Sequence, residues 1–450
     1  MIPAPLIALM HSLEARRCPC YLVGGAVRDL LLGLEPADYD LAAAAPPEVI
    51  KQHLQAAGFN PSYQLQRGTV GLRLPELTVE ITPLKAVDLE GDLATRDFTV
   101  NALALTAEER LIDPYGGADD LRHRRLRLLG DPVATLLTDP LRSFRAARLL
   151  STLDLQPDPT AQWALASPLV RTELRQVAVE RVRTELELML CGPEAAKALR
   201  LLAETGLLSA TCAADDADCS RPVPILPEVS DLQEIPQNPR YHYFDVFEHT
   251  LRTVSASPPL RVLRWAALLH DIAKGSPPVR RIIQGRITDH GHEAAGAQIT
   301  ARILQRLRVD HASCRRVIWL VGNHMRPPSS LRWARHRAAD FNNRRQFDQA
   351  VEQLFDLIEA DRSSHTPEVQ SLPLDREGFR SMLGTIPLYP AELAIDGAEV
   401  VRFFGQGPQV GAILRELLIR VQSGTLLNSR PDLLAALEQK SARRQAESAQ

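Results

Sequence analysis

The chain has 450 residues, of which 45% are hydrophobic and 24% are charged, and its formal net charge is −3. This composition is ordinary for a globular protein, and the length suffices for two to four domains. No apolar run approaches the roughly 20 residues that cross a bilayer, and the first residues lack the basic start of a secretory signal. The six cysteines are scattered, and Cys18 and Cys20 have no second pair at zinc-binding spacing. We therefore expect a reduced, cytoplasmic protein without membrane segments.

A glycine pair near the start of the chain, Gly24 and Gly25, follows the apolar run 21–23 and opens a Leu-rich helical pattern. A glycine turn at the start of a helix lets backbone N–H groups approach phosphate oxygens, and the helix dipole favours their negative charge. Asp38 and Asp40 come next, and at i and i+2 in a strand their carboxylates share one face. Such a pair beside a phosphate site favours Mg²⁺ binding and two-metal nucleotidyl transfer.

The following elements predict the rest of a sheet. A helix is expected over 47–57, and an antiparallel strand pair over 70–74 and 77–81, joined by residues 75–76. Glu80 lies in the second of these strands, where an acidic side chain among apolar residues is costly unless it has a partner. It either joins the aspartate pair or faces solvent as an ordinary surface glutamate.

The order and spacing of these motifs resemble those of the nucleotidyltransferase family that contains the bacterial CCA-adding enzymes and poly(A) polymerases. In this class, protein side chains select the incoming nucleotide. The resemblance implies that Asp38 and Asp40 are catalytic and bind Mg²⁺, with Glu80 as the third acidic residue. It also implies that the glycine pair and Arg28 bind the nucleotide, with Arg28 balancing phosphate charge or pairing with the acidic cluster.

A second motif, Thr-Arg-Asp-Phe-Thr-Val-Asn-Ala at 95–102, resembles the family pattern Arg-Arg-Asp-Phe-Thr-x-Asn-Ala, with threonine in place of the first arginine. In the family this segment is a helix that contacts the ribose and the triphosphate. The resemblance therefore places Arg96 near phosphate. It places Asp97 and Asn101, at i and i+4, on one helix face toward the sugar.

The sequence Thr-Asp-Pro-Leu-Arg that ends at Arg142 resembles the family's Glu-Asp-x-x-Arg template motif, which contacts the base edge of incoming CTP or ATP. Asp139 and Arg142 stand at i and i+3, which predicts one shared helix face, and carboxylate and guanidinium together can match a base edge. Thr138 replaces the glutamate and removes an acidic neighbour that could orient Arg142. Arg145 and Arg148 continue the series and either bind triphosphate or tRNA backbone or form a solvated face.

Three further segments bear on RNA. The basic stretch 122–127 is either a solvated turn or a phosphate contact, and 179–186 resembles a scaffolding motif of the family's neck. The segment 81–95 is shorter than the flexible segment of many CCA-adding relatives, where it helps the switch from C to A addition. An enzyme that adds only CC is therefore one open alternative.

A different set of residues lies between 236 and 361, where an adjacent His-Asp pair is flanked by distant histidines and a late aspartate on expected helices. This order resembles the HD phosphohydrolase superfamily, and a His/Asp set suits a divalent transition metal that activates water. The resemblance implies six ligands, namely His249, His270, Asp271, His292, His324 and Asp361. His290 is an alternative to His292. The HD helices either hydrolyse phosphoesters or serve as a rigid tRNA-docking body.

The apolar helical spacing near the C-terminus, over 413–421, resembles the family's tail, which positions the tRNA elbow. We expect an α+β protein with a mixed α/β nucleotidyltransferase head that has an antiparallel-containing sheet, a helical neck, an HD-type helical body and a helical tail. Their expected bounds are 1–125, 126–225, 226–375 and 376–450.

The resemblance as a whole implies a tRNA nucleotidyltransferase that uses CTP and ATP as substrates and Mg²⁺ as cofactor. A poly(A) polymerase would share every catalytic residue, but many of those carry long basic extensions, and the short tail of mixed charge here favours tRNA. An HD phosphohydrolase with a silent head is the alternative from another class. The sequence specifies no oligomeric state.

Overall fold

The computed structural model describes residues 1–64, 68–74, 77–215 and 221–448. The chain divides into two compact units. Unit 1 consists of Met1–Gln233, Pro259–Arg264 and Arg302–Asp310, and unit 2 of Glu234–Pro258, Trp265–Ala301 and His311–Gln450. Within the described ranges, no helix is both long and apolar enough to cross a membrane.

Unit 1 contains the main sheet. Its strands are β1 (Cys20–Val23), β2 (Tyr39–Ala43), β3 (Tyr63–Gln64), β4 (Val70–Leu74), β5 (Leu77–Pro83), β6 (Ala104–Leu105), β7 (Leu111–Ile112), β8 (Arg125–Leu126), β9 (Gln156–Pro157), β10 (Thr211–Ala213) and β11 (Pro222–Pro224). Seven of them form a mixed sheet in the order β3-β4-β5-β2-β1-β6-β7. Strands β2 and β5 are parallel, and the other neighbours in this sheet are antiparallel. The expected α+β class is confirmed.

The helices of unit 1 surround this sheet and continue beyond it. They are α1 (Ala4–Glu14), α2 (Gly25–Leu31), α3 (Pro47–Ala56), α4 (Leu89–Ala94), α5 (Gly117–Arg122), α6 (Pro132–Thr138), α7 (Arg142–Leu153), α8 (Pro159–Leu165), α9 (Pro168–Glu173), α10 (Val179–Leu190), α11 (Ala195–Glu204) and α12 (Pro227–Ser230). The helix expected over 47–57 and the antiparallel pair β4–β5 are confirmed. The link 75–76 between those strands lies outside the described residues.

Unit 2 is helical, apart from the hairpin β12 (Arg281–Ile283) and β13 (Arg286–Thr288). The helices that follow residue 234 are α13 (Val246–Ala256), α14 (Arg261–Leu269), α15 (His292–Arg306), α16 (His311–Asn323), α17 (Leu331–Ala338), α18 (Arg344–Ser363), α19 (Pro367–Gln370), α20 (Arg376–Gly384), α21 (Gly397–Phe404), α22 (Gln409–Gln422) and α23 (Arg430–Ser448). The expected helical tail is present, and Ile413 and Leu417 of α22 are buried in a cluster with Val400 and Leu433.

The centre of the main sheet positions two acidic residues. Leu41 of β2 and Val79 and Ile81 of β5 are buried. Because side chains alternate along a strand, the residues next to these in each strand point to the opposite face of the sheet. Asp40 and Glu80 are two of these residues, and they stand directly opposite each other in the parallel register. The sheet therefore places two carboxylates side by side on one face.

Candidate active site and metal centre

The acidic pair of the sheet lies in an electrostatically strained setting. Burial in the cleft raises the pKa of the Asp40 carboxyl above its usual range, Glu80 and Asp38 raise it further, and Arg96 opposes them. A carboxylate whose pKa is raised by neighbouring acidic groups is stabilised in its charged form by a cation beside it. Oxygen ligands of this kind suit Mg²⁺. Glu80 thus joins the aspartates rather than standing apart as an ordinary surface glutamate.

Asp38 differs from its sequence prediction in one respect. Strand β2 begins at Tyr39, so Asp38 lies in the bend just before it, and the two aspartates do not share one strand. The ladder with β5 starts at the pair Tyr39 and Val79, so the chain joins the sheet one residue after Asp38. Asp38 remains close enough to Asp40 to influence its pKa.

The glycine turn brings the backbone against Arg96. Gly24 has φ of 77° and precedes α2, which begins at Gly25 as expected. A Cβ on Gly24 would lie 2.5 Å from Nη1 of Arg96. The backbone conformation therefore favours glycine here, and a Cβ would displace the end of the Arg96 side chain.

We expect Gly24→Ala to weaken nucleotide binding as well as stability. The positive φ should cost about 1 kcal/mol of unfolding free energy, and displacement of Arg96 should raise the KM for the nucleoside triphosphate roughly tenfold. Gly33→Ala is the matched control, because Gly33 has φ of 71° but nothing within 4 Å of a Cβ. Equal KM values in the two variants would contradict a nucleotide role for this turn.

A cavity of about 470 Å³ opens beside these elements. The predicted site residues that line it are Gly24, Gly25, Arg28, Asp40, Arg96, Asp97, Asn101, Arg142, Arg145 and Arg148. Asp38, Glu80 and Asp139 are not among its lining residues. The fold thus gathers motifs more than 100 positions apart in sequence around one space.

A chain of hydrogen bonds crosses the wall of this cavity. Nη1 of Arg28 donates to Oδ1 of Asn101 at 2.7 Å, and Nδ2 of Asn101 donates to Oδ1 of Asp97 at 2.9 Å. Nη1 of Arg145 then donates to Oδ2 of Asp97 at 2.7 Å. Burial alone would raise the pKa of Asp97, but Arg145 and the hydrogen bond from Asn101 outweigh it and lower that pKa. Asp97 is therefore a fixed anion.

The predicted helix over 95–102 is wrong. Helix α4 ends at Ala94, and a single 3₁₀ turn follows at Thr99–Asn101. The reason is that Oδ1 of Asp97 accepts from the N–H of Phe98, a local bond that competes with helical bonding. Phe98 itself forms an extended bridge with Leu128. Asp97 and Asn101 do contact each other as expected, but the 3₁₀ turn brings them together rather than a helix face.

The template motif also breaks its predicted helix. Asp139 follows α6 in an extended conformation with φ of −151°, and α7 begins at Arg142. Asp139 precedes Pro140, and a residue before proline is driven out of the helical region. The predicted shared helix face of Asp139 and Arg142 is therefore wrong. Oδ2 of Asp139 instead lies 3.3 Å from Nη2 of Arg181.

Arg142 is nevertheless held in place at the cavity. Its Nη1 donates to the carbonyl oxygen of Thr135 and to Oγ1 of Thr138, both at 3.1 Å. Its Nη2 donates to the carbonyl oxygen of Thr95 at 3.2 Å. Thr138 thus orients the guanidinium with a neutral acceptor at the position where the family pattern has glutamate.

Glu185 is a cavity residue that the sequence reasoning missed. It lies on α10, is buried, and lines the cavity. Its Oε2 accepts from Nε of Arg148 at 2.6 Å, and its Oε1 lies 3.6 Å from Nε of Arg145. The segment 179–186 was interpreted as scaffolding, and its partners on α7 could not be identified from sequence spacing. Glu185 keeps two of the cavity's three α7 arginines in fixed positions.

The basic stretch 122–127 is neutralised by carboxylates. The pairs are Arg122–Asp119 (3.0 Å), Arg124–Asp154 (2.6 Å), Arg125–Asp120 (2.5 Å) and Arg127–Asp120 (2.9 Å). Each of these four guanidinium groups has a carboxylate neighbour, so the positive charge of the stretch is balanced within the fold. Of the two alternatives for this stretch, the structure favours the surface turn.

A second centre lies in unit 2, where four histidines point one ring nitrogen each toward two aspartates. Each Nδ1 is engaged elsewhere: His249 with Oγ of Ser364 (2.7 Å), His270 with the carbonyl oxygen of Ala267 (2.8 Å), His292 with that of Asp289 (2.7 Å) and His324 with that of Val321 (2.7 Å). Such bonds fix ring orientation and direct Nε2 toward a ligand position. The arrangement is that of a metal centre.

Asp271 lies at the middle of this centre. Its Oδ2 is 3.2 Å from Nε2 of His270 and 3.4 Å from Nε2 of His249, and its Oδ1 is 3.2 Å from Nε2 of His292. Asp361 is the second aspartate of the centre, and its Oδ1 is 3.0 Å from Nε2 of His249. All six predicted ligands therefore meet. His290 is exposed and lies outside the groups of residues whose ligand atoms converge.

The charges of this centre are strongly coupled. Burial opposes protonation of His270, but Asp271 and Asp361 outweigh it and raise the pKa of His270 to about 10. Burial and the neighbouring His270 and His292 lower the pKa of His324 to about 3. Imidazole and carboxylate together form a donor set that fits a divalent metal ion.

Two further histidines stand beside this centre and were missed from the sequence. The ring centroids of His242 and His365 are 4.2 Å apart, and that of His242 is 5.1 Å from that of His249. Burial and Lys274 lower the pKa of His242 to about 2. His242 also lines a cavity of about 930 Å³ at the centre, with Lys274 and His292. His365 stands four residues after Asp361, a helical spacing that could have signalled it.

Three family models match the chain. The Poly A polymerase head domain matches residues 20–89 and 84–127, the probable RNA and SrmB-binding site of polymerase A matches 165–211, and the HD domain matches 246–364. The first match contains the acidic pair and the glycine turn, and the third contains all six residues of the second centre. The predicted fused HD domain is confirmed.

The chain is also similar to whole proteins. It is 36% identical to the A-adding tRNA nucleotidyltransferase of Deinococcus radiodurans over 415 residues, which are 88% of this chain and 90% of the relative. The chain belongs to the tRNA nucleotidyltransferase family. A second member, the CC-adding tRNA nucleotidyltransferase of Thermus thermophilus, is 34% identical over 411 residues, which are 88% of each chain.

The fold of this chain is also similar to that of a solved structure from the family. The CCA-adding enzyme of Bacillus stearothermophilus in complex with CTP matches 99% of this chain and 100% of its own, with a TM-score of 0.69 and 24% identity. The predicted family is therefore confirmed in both sequence and fold.

Proposed function

We propose that this tRNA nucleotidyltransferase adds C, A or both from CTP and ATP to the 3′ end of tRNA. The observation that carries the proposal is the 470 Å³ cavity, whose lining joins Asp40 to a glycine turn and several arginines. Acidic metal ligands beside cations and backbone N–H groups suit a triphosphate whose α-phosphate is attacked. The names of the relatives support tRNA as the acceptor.

The residues around the cavity fall into distinct roles. Asp38, Asp40 and Glu80 would hold Mg²⁺, which when bound supplies Lewis-acid stabilisation at the α-phosphate. Arg96 and the backbone at the glycine turn bind phosphate charge. The fixed pair of Asp97 and Asn101 lies where a ribose hydroxyl can be bound. Arg142 presents its planar guanidinium to the base edge, and Arg28, Arg145 and Arg148 complete the positive wall. Asp139 faces Arg181 in this state and would have to turn to join the template.

The first experiment determines the product. Purified protein with Mg²⁺ is incubated with tRNA ending at the discriminator base, at C or at CC, each with labelled CTP, ATP or both. Products are resolved at single-nucleotide length. Complete CCA, CC alone or a terminal A alone would each support tRNA nucleotidyl transfer and define its class. Runs of A without C would point to the poly(A) polymerase, and no extension of any end would contradict the proposal.

Replacement of Arg142 should change nucleotide choice. Arg142→Lys keeps the positive charge but loses the planar fork, so the ratio of kcat/KM for the preferred over the other nucleotide should fall roughly tenfold or more. Arg16→Lys is the control, because Arg16 also donates to carbonyl oxygens but lies outside the cavity. An unchanged ratio in Arg142→Lys would contradict its template role.

The second centre supports a second activity. We propose that the six ligands bind a divalent transition metal and hydrolyse phosphoesters in the 930 Å³ cavity. Lys274 lines this cavity and lies 2.7 Å from Oδ2 of Asp271, so a cation stands beside the place where a phosphate would approach. Hydrolysis of a chromogenic phosphate diester or monoester, tested with added divalent metals, checks this activity.

The four-part division at 125, 225 and 375, and a cytoplasmic location, also remain proposals. The family-model matches at 20–127, 165–211 and 246–364 support the first three parts.

A further inference from the structure

Three histidines of unit 2 lie together at one side of the second centre, and two of them are not among its six ligands. They are His242, His249 and His365, which we call the histidine trio. Each offers a ring nitrogen, and the three nitrogens lie within 4.8 Å of one another. The HD-domain match begins at 246 and ends at 364, so it includes neither His242 nor His365.

The ligand atoms of the trio converge as closely as those of the six-ligand set. Within that set, the groups whose ligand atoms lie within the same distance of one another are His249 with His270 and Asp271, and Asp271 with His292 and His324. The trio is thus a third such group. It adjoins the first group, because the two groups share His249.

Main-chain pairing places two rings of the trio side by side. His242 and His365 form an antiparallel bridge between the chain that precedes α13 and the chain that follows α18. Residues directly opposite each other in an antiparallel pair carry their side chains on the same face. The third ring is tied to the same segment, because Nδ1 of His249 lies 2.7 Å from Oγ of Ser364.

The spacing of the rings suits one metal ion. The ring centroids of His242 and His365 are 4.2 Å apart, those of His249 and His365 are 4.8 Å apart, and those of His242 and His249 are 5.1 Å apart. Imidazole rings that bind one ion through nitrogens at about 2.1 Å have centroids roughly 4.5 to 5.2 Å apart. Neighbouring histidine rings within the six-ligand set have centroids 5.1 to 5.3 Å apart.

The two additional rings have nitrogens available for a ligand. Nδ1 of His365 lies 2.8 Å from the carbonyl oxygen of Asp361, which is the arrangement that fixes three histidines of the six-ligand set. This contact leaves Nε2 of His365 to bind an ion. Nδ1 of His242 is buried and has no hydrogen-bond partner among the described residues. A buried polar atom without a partner costs about 1 to 3 kcal/mol, and ring packing alone does not remove that cost.

We propose that the histidine trio binds a divalent transition metal ion beside the six-ligand set. The inference rests on the proposed metal-dependent activity of the second centre and adds a metal position to it. Imidazole nitrogens favour ions such as Zn²⁺ and Co²⁺ over Mg²⁺ and Ca²⁺. Oδ1 of Asp361 lies 3.6 Å from Nδ1 of His365, so a carboxylate stands nearby to balance the charge of the ion.

The position of the trio gives the ion a role toward substrate. His242 lines the 930 Å³ cavity, so the ion lies at the cavity wall, where a phosphate oxygen can complete its coordination. His249 belongs to both metal positions. A neutral imidazole has one free lone pair, so this ring binds one ion at a time and a water oxygen takes its place at the other.

The test measures the metal content of the full chain by elemental analysis after equilibrium dialysis against Zn²⁺ and against Co²⁺. His242→Phe keeps a ring but removes both nitrogens, and it should bind about one ion per chain fewer than wild type. His365→Phe should lose the same ion. His290→Phe is the matched control and should keep the wild-type content, because His290 lines the same cavity but lies outside the convergent groups.

Thermal unfolding separates metal loss from misfolding. With EDTA present, His242→Phe should have the Tm of wild type, because His242 makes no described side-chain hydrogen bond. Addition of Zn²⁺ should raise the Tm of His242→Phe less than that of wild type, since one bound ion fewer stabilises the folded state. If phenylalanine lowers the metal-free Tm, His242→Gln supplies the same comparison with a smaller side chain.

A change in the six-ligand set distinguishes the two positions. His324→Gln removes a ligand of that set and none of the trio, so it should keep an ion that the double variant His242→Phe/His324→Gln loses. Equal metal contents in wild type, His242→Phe and His365→Phe would overturn the trio and leave the six-ligand set intact. If the wild-type protein hydrolyses no phosphoester but His242→Phe still loses an ion, the proposed hydrolysis fails and the metal position stands. A wild-type chain that binds neither Zn²⁺ nor Co²⁺ would overturn both.

Discussion

Asp40→Asn should reduce nucleotide addition by about a thousandfold or more, since a carboxylate that holds the metal contributes several kcal/mol to the barrier. The change leaves size and shape almost intact. It also removes one of the charges crowded beside Glu80, so the free energy of unfolding should not fall. Single-turnover extension of tRNA with CTP and ATP measures the effect.

Two comparisons make the Asp40 result specific. Glu48→Gln removes an exposed carboxylate from the first turn of α3 and should leave extension unchanged. Affinity for tRNA and metal content of the second centre should be the same in Asp40→Asn as in wild type. Loss of both transfer and phosphoester hydrolysis in a folded Asp40→Asn protein would contradict two independent centres.

Asp271→Asn should empty the second centre and destabilise the protein. Oδ2 of Asp271 faces His249 and His270, and its Oδ1 faces His292. Replacement of the carboxylate by the asparagine amide therefore removes a ligand that lies between these histidines. It also takes the carboxylate away from the buried Lys274 ammonium, which keeps only Oε1 of Gln237 as a described acceptor, and this should cost about 3 to 5 kcal/mol. Metal content by elemental analysis and unfolding in denaturant measure the two effects, and transfer to tRNA should persist wherever the protein is folded.

A second variant separates the two effects of Asp271. Asp271→Asn/Lys274→Met removes both charges, so stability should recover while the metal does not return. Full metal binding in either variant would show that Asp271 is not a ligand. Recovery of the metal together with stability would show that the single variant was merely unfolded.

The sequence predicted the residues of both centres better than their backbone. The family resemblance named Glu80 as the third acidic residue, and period-two alternation along β2 and β5 explains why it faces the same side of the sheet as Asp40. The helix errors at 95–102 and at Asp139 have local causes. Proline at 140 was visible in the sequence and should have prevented one of them. The hydrogen bond from Phe98 to Asp97 carries no spacing signal.

Contacts across the fold were beyond sequence reasoning. Glu185 meets Arg148 on another helix, 37 positions earlier. His242 meets His365 although they are more than 100 positions apart. Such pairs depend on how helices pack, and a single sequence contains no period that reports it. The resemblance to a known family supplied the six metal ligands, but it did not extend to these neighbours.

The way Arg142 is held has an evolutionary consequence. Two of its three acceptors are main-chain carbonyl oxygens, those of Thr95 and Thr135. Amino-acid replacement cannot delete a carbonyl oxygen, so mutational drift at these two positions leaves the guanidinium anchored as long as the backbone path persists. Only the third acceptor, at Thr138, is exposed to drift. A lineage can therefore exchange glutamate for threonine there and keep a base-reading arginine in register.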